Sequence, residues 1–304
     1  MRIIFFGHNR RGVECLEYLL GSQAIEILLV VGHPETDESS IYYCNLKPTA
    51  AQHNLQYIAP TNINTSEVRK IFSDLKPDLF VLCGYSQNIL KSETYTLAKI
   101  AALNVHASLL PAYRGASPLN WALINGETET GYSIIQIDEG IDTGPIIFQE
   151  KVQIQLDDDI NSLTSKINSK VGPALHHCIV NIETMIANQT VQAVHQGNFY
   201  SKRFPKDGQL KFQSMNSTQV RNMVRALRDP FPGAFFCLNG EKYIVDEVQD
   251  TAETFKGCAG RVIKILSPTM VIVLCTDKGI LLKLKSAINR KRFGNLNEGI
   301  DIDG

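Results

Sequence analysis

The chain has 304 residues, of which 44% are hydrophobic, and its 30 basic and 31 acidic side chains give a formal charge of −1. Ample apolar content at low net charge excludes an intrinsically disordered chain, and the length allows two domains of ordinary size. No window approaches the ~20 consecutive apolar residues of a membrane span, and the start runs directly into a strand pattern, so we expect a soluble cytoplasmic protein. The 7 cysteines include no closely spaced pair, so we expect no metal site.

The first two thirds of the chain alternate between strand and helix patterns. Short apolar runs predict strands at residues 3–6, 25–31, 79–83, 101–105 and 133–137. Helical patterns occupy residues 13–20, 65–75 and 118–124, and a longer helix or helix pair is predicted at residues 160–187. Strands and helices in this alternation are typical of βαβ units, so we predict an α/β fold on a mostly parallel sheet.

The pattern changes near Gly197. A predicted helix at residues 217–227 leads into five short β runs at residues 234–238, 243–248, 261–266, 270–275 and 280–284, which predict a small barrel or OB-like module. We therefore divide the chain into domains at residues 1–200 and 201–304. Charge follows the same division, because residues 1–200 carry 13 basic and 20 acidic side chains and residues 201–304 carry 17 and 11. The basic second part favours an anionic ligand, with ordinary solvated surfaces as the alternative.

The turn after the first predicted strand is a candidate phosphate site. Its sequence, Gly7-His8-Asn9-Arg10-Arg11-Gly12, lacks the G-x-G-x-x-G spacing of dinucleotide-binding folds. It does place two arginines beside a helix N-terminus at the carboxyl end of a strand, where open α/β sheets bind ligands. Arg10 and Arg11 are therefore candidate phosphate contacts, with two solvent-exposed arginines as the alternative.

The segment around residues 103–115 carries the clearest chemical signal. Asn104 and His106 point to the same face of a predicted strand, because side chains alternate along strands. An amide N–H stabilises an oxyanion, while an imidazole moves a proton near neutral pH. A histidine alone on a strand is more often structural. Asp142, in a polar loop after another predicted strand, completes a set suited to acyl transfer onto an amine if it approaches His106.

Two other interpretations of this loop remain. Asp138 and Asp142 are turn formers in the first, since Gly140 and Gly144 accompany them. The second is more remote: Asp142-Thr143-Gly144 spells the triplet of aspartic proteases, which need two carboxylates that share a proton. The chain contains no second Asp-Thr-Gly or Asp-Ser-Gly, so a protease would have to dimerise about this one.

Together these residues match a known family pattern. The motifs are Asn104-Val105-His106, Ser108-Leu109-Leu110-Pro111, Tyr113-Arg114-Gly115 and Asp138-x-Gly140-x-Asp142-Thr143-Gly144. At this separation they resemble the formyltransferases that use N10-formyltetrahydrofolate, and the resemblance continues through Asn120-Trp121 and residues 125–131. It implies an N-formyltransferase with a Rossmann-like N-terminal catalytic domain and a smaller C-terminal OB-like β-barrel domain.

The resemblance also implies roles for individual residues. Asn104, His106 and Asp142 correspond to the catalytic trio of the family. The co-substrate N10-formyltetrahydrofolate is expected at Gly84, Ser86, Gln87, Asn88, Ile89, Leu90, Asp138 and Gly140. Candidate contacts of the acceptor substrate are His8, Asn9, Arg10, Arg11, Ser108, Tyr113, Arg114 and Arg203.

The choice of acceptor depends on the regions outside this pattern. Single-domain glycinamide ribonucleotide formyltransferases are shorter, and the tRNA formyltransferases carry a basic insertion where residues 32–43 are short and acidic. Residues 203–210 and 224–235 resemble sugar N-formyltransferases, including the one that formylates an amino-arabinose nucleotide for lipid A, although Lys211-Phe212 replaces the usual Asp-Trp pair.

We therefore predict a UDP- or dTDP-linked amino sugar as acceptor, of the 4-amino-4,6-dideoxy type used for surface or flagellar glycans. The alternative is methionyl-tRNA formyltransferase, which the basic C-terminal part with Asn289-Arg290-Lys291-Arg292 favours. The acidic N-terminal part is a poor electrostatic partner for RNA, so we do not favour a nucleic-acid partner. We expect no membrane partner, and a homodimer stays open.

Overall fold

The chain divides into two units, each containing one large sheet. The computed structural model describes residues 1–34, 45–86, 88–288 and 300–302. The first unit comprises Met1–Pro118, Glu129–Gln153 and Thr164–Ser201. The second comprises Leu119–Thr128, Ile154–Leu163 and Lys202–Gly304, so two short segments from the first two thirds of the sequence group with the C-terminal third.

The first unit is built on a seven-stranded sheet with the order β3-β2-β1-β4-β5-β7-β8. Its strands are β1 (Arg2–Gly7), β2 (Glu26–Val31), β3 (Tyr57–Ile58), β4 (Leu79–Cys83), β5 (Ala101–His106), β7 (Glu129–Gln136) and β8 (Ile146–Gln153). Strands β1 to β5 pair in parallel, whereas β7 and β8 extend the sheet in the antiparallel direction. The carboxyl ends of the parallel strands therefore meet at one edge of the sheet, where open α/β sheets bind ligands.

Strands β6 (Arg114–Gly115) and β9 (Phe199–Tyr200) form a separate two-stranded sheet in the same unit.

The helices of the two units, in chain order, are α1 (Asn9–Leu20), α2 (Lys47–Gln52), α3 (Ser66–Leu75), α4 (Ser92–Tyr95), α5 (Pro118–Asn125), α6 (Ile160–Val180), α7 (Ile182–Ala187) and α8 (Ser217–Ala226). Helix α1 approaches β4 closely at Gly12, where an added Cβ would lie 2.9 Å from the carbonyl oxygen of Cys83. A glycine at this position therefore lets the helix pack directly on the central strand.

The second unit contains a six-stranded sheet with the order β10-β11-β14-β13-β12-β15. Its strands are β10 (Ala234–Leu238), β11 (Glu241–Asp250), β12 (Arg261–Ser267), β13 (Met270–Leu274), β14 (Gly279–Leu284) and β15 (Ile300–Asp301), and every pairing is antiparallel. A two-residue turn joins β10 to β11, and its residues Asn239 and Gly240 have positive φ angles of 52° and 75°, as tight hairpins of primed type require.

The predicted fold class is confirmed. A mixed α/β sheet dominated by parallel strands occupies the N-terminal part, and an antiparallel sheet occupies the C-terminal part. All five predicted C-terminal strands are present, and residues 160–187 form the helix pair α6 and α7. Strand β8 was not predicted, because only Ile147 and Val152 are buried along it and its apolar periodicity is weak. In the described residues, no helix combines the length and apolar character of a membrane span.

Candidate active site

Asn104, His106 and Asp142 lie together at the carboxyl end of β5. The Nδ2 atom of Asn104 donates a hydrogen bond of 3.2 Å to Asp142 Oδ1, and His106 Nδ1 lies 3.4 Å from Asp142 Oδ2. The side chains of His106 and Asp142 are only 8% and 11% exposed. An amide and an imidazole therefore share one largely buried carboxylate.

The position of the Asp142 carboxylate is fixed by the backbone around it. Gly115 N donates a 2.9 Å hydrogen bond to Asp142 Oδ2. Asp142 itself has a positive φ of 55°, which is uncommon for a residue with a side chain. Its carbonyl oxygen accepts a hydrogen bond of 3.0 Å from Gln192 Nε2, and this contact holds the loop from the other side. The carboxylate is thus oriented towards Asn104 and His106 before any substrate binds.

The second ring nitrogen of His106 also faces an oxygen atom. His106 Nε2 lies 2.8 Å from the carbonyl oxygen of Tyr113. A carbonyl only accepts hydrogen bonds, so Nε2 carries a proton in this arrangement and Nδ1 faces Asp142. A neutral ring has a single N–H, and only the imidazolium ion donates to both oxygens at once. The ring is therefore placed to gain a proton at Nδ1 and to lose it again.

The two aspartates of the following loop have different contacts. Asp138 Oδ1 accepts hydrogen bonds from Gly140 N at 3.0 Å and from Thr143 Oγ1 at 2.7 Å, so this carboxylate shapes its own loop. Asp142 instead reaches side chains and backbone of other elements, including Asn104 on β5 and Gly115 on β6. The turn-forming interpretation therefore describes Asp138 and not Asp142.

The segment at residues 84–90 begins with a glycine that packs against the start of α1. Gly84 has a φ of 72°, and an added Cβ would lie 2.5 Å from both Asn9 Nδ2 and the carbonyl oxygen of His8. Neither the angle nor the space allows another residue at this position. The candidate folate-binding segment and the first turn of α1 are therefore in direct contact.

The rest of this segment makes hydrogen bonds to other loops through both backbone and side-chain groups. Ser86 N donates a 3.2 Å hydrogen bond to His33 Nε2, and Asn88 Oδ1 accepts one of 3.3 Å from the backbone of Ile63. Leu90 is buried, whereas the side chain of Ile89 is 59% exposed. The candidate residue Gln87 lies outside the described residues.

An aromatic cluster of His8, His33 and Tyr85 adjoins this segment. The rings of His8 and His33 stack with their centroids 4.0 Å apart. The Tyr85 ring lies edge-on to His33, and the centroids of these two rings are 4.8 Å apart. Burial, together with the neighbouring His8, lowers the pKa of His33 to about 4. Burial also lowers the pKa of His8. Both rings are therefore neutral at pH 7, and His33 is free to accept the Ser86 N–H.

Three candidate substrate contacts in the first turn, Asn9, Arg10 and Arg11, are bonded to other residues of the first unit. Asn9 Oδ1 accepts hydrogen bonds from Arg11 N at 3.0 Å and Gly12 N at 3.3 Å, so it caps α1. Arg10 Nε pairs with Glu14 at 2.6 Å on the exposed surface, and Arg11 Nε donates to Asn168 Oδ1 at 3.0 Å. Only Arg10 is largely exposed, with 68% of its side chain accessible.

The candidate substrate contacts at residues 108–114 differ in their burial and in their partners. Ser108 is fully buried, and its hydroxyl donates to the carbonyl oxygen of Ala112 at 2.7 Å. The ring of Tyr113 stacks on Tyr200 with centroids 4.8 Å apart. Arg114 Nη2 donates to the carbonyl oxygen of Val194 at 3.3 Å, while its buried Nε has no partner among the described residues.

Arg203 belongs to the second unit. Its guanidinium carbon lies 4.7 Å from the ring centroid of Trp121, and its Nη2 donates a 2.8 Å hydrogen bond to the carbonyl oxygen of Asp207. Burial lowers the pKa of Arg203. The guanidinium thus packs among residues of its own unit.

Comparison with known proteins identifies the family. The chain matches a family model described as formyl transferase over residues 1–179 and one described as formyl transferase, C-terminal domain, over residues 203–294. It is 30% identical over 310 residues to a methionyl-tRNA formyltransferase of Methylacidiphilum infernorum (isolate V4), an alignment covering 96% of this chain and 92% of the relative. It is also 30% identical over 281 residues to the bifunctional polymyxin resistance protein ArnA of Wigglesworthia glossinidia brevipalpis, covering 92% of this chain but only 42% of that longer protein.

A solved structure shows the same fold. The N-formyltransferase of Helicobacter canadensis, in complex with folinic acid and dTDP-3-aminofucose, superposes with a TM-score of 0.66 at 20% identity. The match covers 93% of this chain and 98% of that one. The chain belongs to the formyl transferase family and has the enzyme class predicted from its sequence, N-formyltransferase.

Proposed function

We propose that this enzyme transfers the formyl group of N10-formyltetrahydrofolate to the amino group of a nucleotide-linked amino sugar. The observation that carries the chemistry is the contact of Asn104 and His106 with one largely buried carboxylate, that of Asp142. An amine acceptor supplies its own nucleophile, so the site needs a proton acceptor and an oxyanion donor and no nucleophilic Ser or Cys.

The residues at the carboxyl edge of the sheet fit the folate co-substrate. Ile89 and Ile141 expose 59% and 44% of their surface on the two loops that follow β4 and β7. Exposed apolar side chains beside polar backbone suit a flat, partly polar ring system. Residues 84–90 and 138–142 would hold the co-substrate, which supplies the formyl group when bound.

In the proposed reaction, Asn104, His106 and Asp142 each have a separate role. As the acceptor amine attacks the formyl carbon, Asn104 Nδ2 donates a hydrogen bond to the oxygen on which charge develops. The amine must lose a proton, and His106 receives it at Nδ1, since Nε2 is bonded to the Tyr113 carbonyl. Asp142 holds the ring and stabilises the imidazolium through its carboxylate. The new bond to the amine would replace the bond between the formyl carbon and the folate nitrogen, and the proton held by His106 would pass to that departing nitrogen.

The acceptor is inferred from charge and from the linker. The acidic balance of residues 1–200 supports a small diphosphate-bearing substrate over a long RNA. The resemblance of residues 203–210 and 224–235 to sugar N-formyltransferases supports the same choice. The tRNA alternative draws on the Methylacidiphilum infernorum relative and on the basic C-terminal part. Residues 289–292, and most of the acidic stretch at residues 32–43, lie outside the described residues.

The acceptor can be decided by direct competition. The purified chain is supplied with the formyl donor and, separately, with dTDP- and UDP-linked 3-amino and 4-amino sugars and with methionyl initiator tRNA. We expect formylation of the nucleotide sugars, with the 4-amino-4,6-dideoxy compounds preferred, at kcat/KM values about 100-fold or more above that for tRNA. Formylation of tRNA without sugar turnover would overturn the sugar assignment. Formylation of none of these acceptors would count against the proposed reaction itself.

A further inference from the structure

A row of three polar side chains crosses the antiparallel part of the first sheet. His106 on β5 is the register partner of Ser133 on β7, and Ser133 is the register partner of Gln149 on β8. Directly paired residues place their side chains on the same face of a sheet. Ser133 and Gln149 are therefore neighbours of the candidate proton acceptor, although the sequence motif that contains His106 includes neither.

The hydroxyl of Ser133 uses its full hydrogen-bonding capacity. It donates to the carbonyl oxygen of Ser108 at 2.7 Å and accepts from Leu110 N at 3.2 Å and from Gln149 Nε2 at 2.8 Å. One donor and two lone pairs are all that a hydroxyl offers. Ser133 is fully buried, so none of these contacts is replaced by bulk water if the hydroxyl is removed.

Gln149, on the edge strand β8, makes hydrogen bonds both to Ser133 and to the segment that follows β5. Its amide nitrogen donates to Ser133 Oγ and also to the carbonyl oxygen of Leu110 at 3.0 Å. Both N–H groups of one amide are thereby directed at strand β7 and at the segment of residues 107–113. The side chain of Gln149 ties this segment to the sheet.

The segment of residues 107–113 ends at the oxygen that His106 contacts. Within the segment, Ser108 Oγ donates to the carbonyl oxygen of Ala112, and Tyr113 N donates to Asn198 Oδ1 at 2.5 Å. The carbonyl oxygen of Tyr113 then lies 2.8 Å from His106 Nε2. The hydrogen bonds therefore form a chain from Gln149 and Ser133, through this segment, to the imidazole.

We propose that Ser133 and Gln149 are positioning residues that hold residues 107–113 so that the Tyr113 carbonyl keeps a proton on His106 Nε2. This inference rests on the proposed role of His106 as the proton acceptor. With Nε2 protonated, the free lone pair of the neutral ring is at Nδ1, beside Asn104 and Asp142. If the segment relaxes, the ring can adopt the other tautomer, and Nδ1 no longer accepts the amine proton.

Three variants test this assignment. Gln149→Met keeps the length of an exposed side chain and removes its amide, and Ser133→Ala removes the buried hydroxyl. Gln153→Met is the matched control, because Gln153 is an exposed glutamine on the same strand whose side chain makes no hydrogen bond to Ser133 or to residues 107–113 within the described part of the chain. We expect kcat to fall about 10-fold in Gln149→Met and further in Ser133→Ala, with KM for both substrates within about twofold.

The decisive readout needs no substrate. In protein with 15N-labelled histidine, the ring signals of His106, assigned by comparison with His106→Asn, report which nitrogen carries the proton. We expect a protonated Nε2 in the wild type and in Gln153→Met, and a mixture of tautomers in Gln149→Met. An unchanged tautomer and an unchanged kcat in Gln149→Met would overturn the proposal. So would a lower melting temperature with no change in kcat per folded molecule, since that result describes a purely structural role.

Different results would reject the proposed function and the positioning role of Ser133 and Gln149. Undiminished formyl transfer by His106→Asn would remove the proposed function, whatever the ring signals show. Loss of transfer in His106→Asn, combined with wild-type behaviour of Gln149→Met, would remove only the positioning role.

Discussion

Two groups of histidines lie on the loops and strand ends at the same edge of the first sheet, and different forces hold them. His106 is the last residue of β5 and lies between two oxygens, a carboxylate oxygen of Asp142 and the carbonyl oxygen of Tyr113. His8 and His33 follow β1 and β2, stack on each other and have pKa values lowered by burial. The first environment favours exchange of a proton, whereas the second keeps two rings neutral.

The contrast shows that the partners of a histidine, and not its place in the fold, determine its chemistry. The carboxylate of Asp142 faces Nδ1 of His106 and can accept a hydrogen bond from a proton placed there. Stacking and burial remove the imidazolium form and leave a ring that packs and accepts one hydrogen bond, here from Ser86 N. The proposed function therefore places the proton transfer at His106, while the hydrogen bond from Ser86 N gives His33 a supporting contact with residues 84–90.

The largest expected effect comes from exchanging the imidazole in each group. His106→Asn should lower kcat by about 10²–10⁴-fold, because the proton acceptor is lost, with little change in melting temperature. His33→Asn is the matched variant and should lower kcat less than about 10-fold, since an asparagine oxygen can still accept from Ser86 N. A greater loss of kcat in His33→Asn than in His106→Asn would reverse the assignment of the two groups.

A smaller effect is expected from the two aspartates of the loop after β7. Asp142→Asn should lower kcat about 100-fold, because a neutral amide stabilises the imidazolium poorly and cannot accept as well from Gly115 N. Asp138→Asn keeps an acceptor for Thr143 and should cost less than about 10-fold. Steady-state kinetics with both substrates at saturation measure the difference, and equal losses would place both carboxylates in the same structural role.

Because His8 and His33 are neutral in the folded protein, they should affect how the free energy of unfolding depends on pH. The pKa of His33 is lowered to about 4 in the folded protein, below the ~6.5 of an unfolded histidine. Between these values the unfolded chain binds the extra proton, so the free energy of unfolding falls as the pH drops from 6.5 to 4. His33→Phe should flatten this slope in denaturant titrations, while a phenylalanine at the exposed His53 controls for the substitution. An equally steep slope in His33→Phe would contradict the neutral pair.

The smallest effect is expected at Tyr85, the third ring of the cluster. Its hydroxyl is buried and has no hydrogen-bond partner among the described residues. Tyr85→Phe should therefore leave the free energy of unfolding unchanged or raise it by about 1 kcal/mol. Tyr132→Phe is the contrasting variant, because the Tyr132 hydroxyl donates to Glu150 at 2.6 Å, and it should lose about 1–3 kcal/mol. A clear destabilisation of Tyr85→Phe would show that its hydroxyl has a partner after all.

Much of the fold follows from the sequence because buried strands are continuous apolar runs. Strands β1 and β4 are buried along almost their whole length, and their positions were predicted within a residue or two. Strand β8 was missed because it lies at the sheet edge with few buried side chains. Helix α1 begins at Asn9, four residues before the predicted start, because an Asn9 side-chain cap replaces the usual apolar pattern there.

The candidate site has a sequence signal only where side chains carry the proposed chemistry. Asn104, His106 and Asp142 are recognisable by residue type and spacing. The Gly115 N–H and the Tyr113 carbonyl are backbone groups, which any residue possesses, so no sequence signal marks them. Ser133 and Gln149 are ordinary polar residues of strands, and only the pairing of β5, β7 and β8 brings them into one row.

Because β5, β7 and β8 are paired in this register, the position of β8 along the sheet determines whether Gln149 lies beside Ser133. Side chains alternate between the two faces of a strand, so a shift of β8 by a single residue would turn Gln149 away from Ser133 and bring a neighbour into its place. Strand β8 is at the edge of the sheet and pairs within it only with β7, so such a shift leaves the pairings of the other strands in place. Here, we expect one residue added between Pro145 and Gln149 to lower kcat, because the contacts of Gln149 are lost, and also to lower the melting temperature, because the buried Ile147 and Val152 are displaced by the same shift.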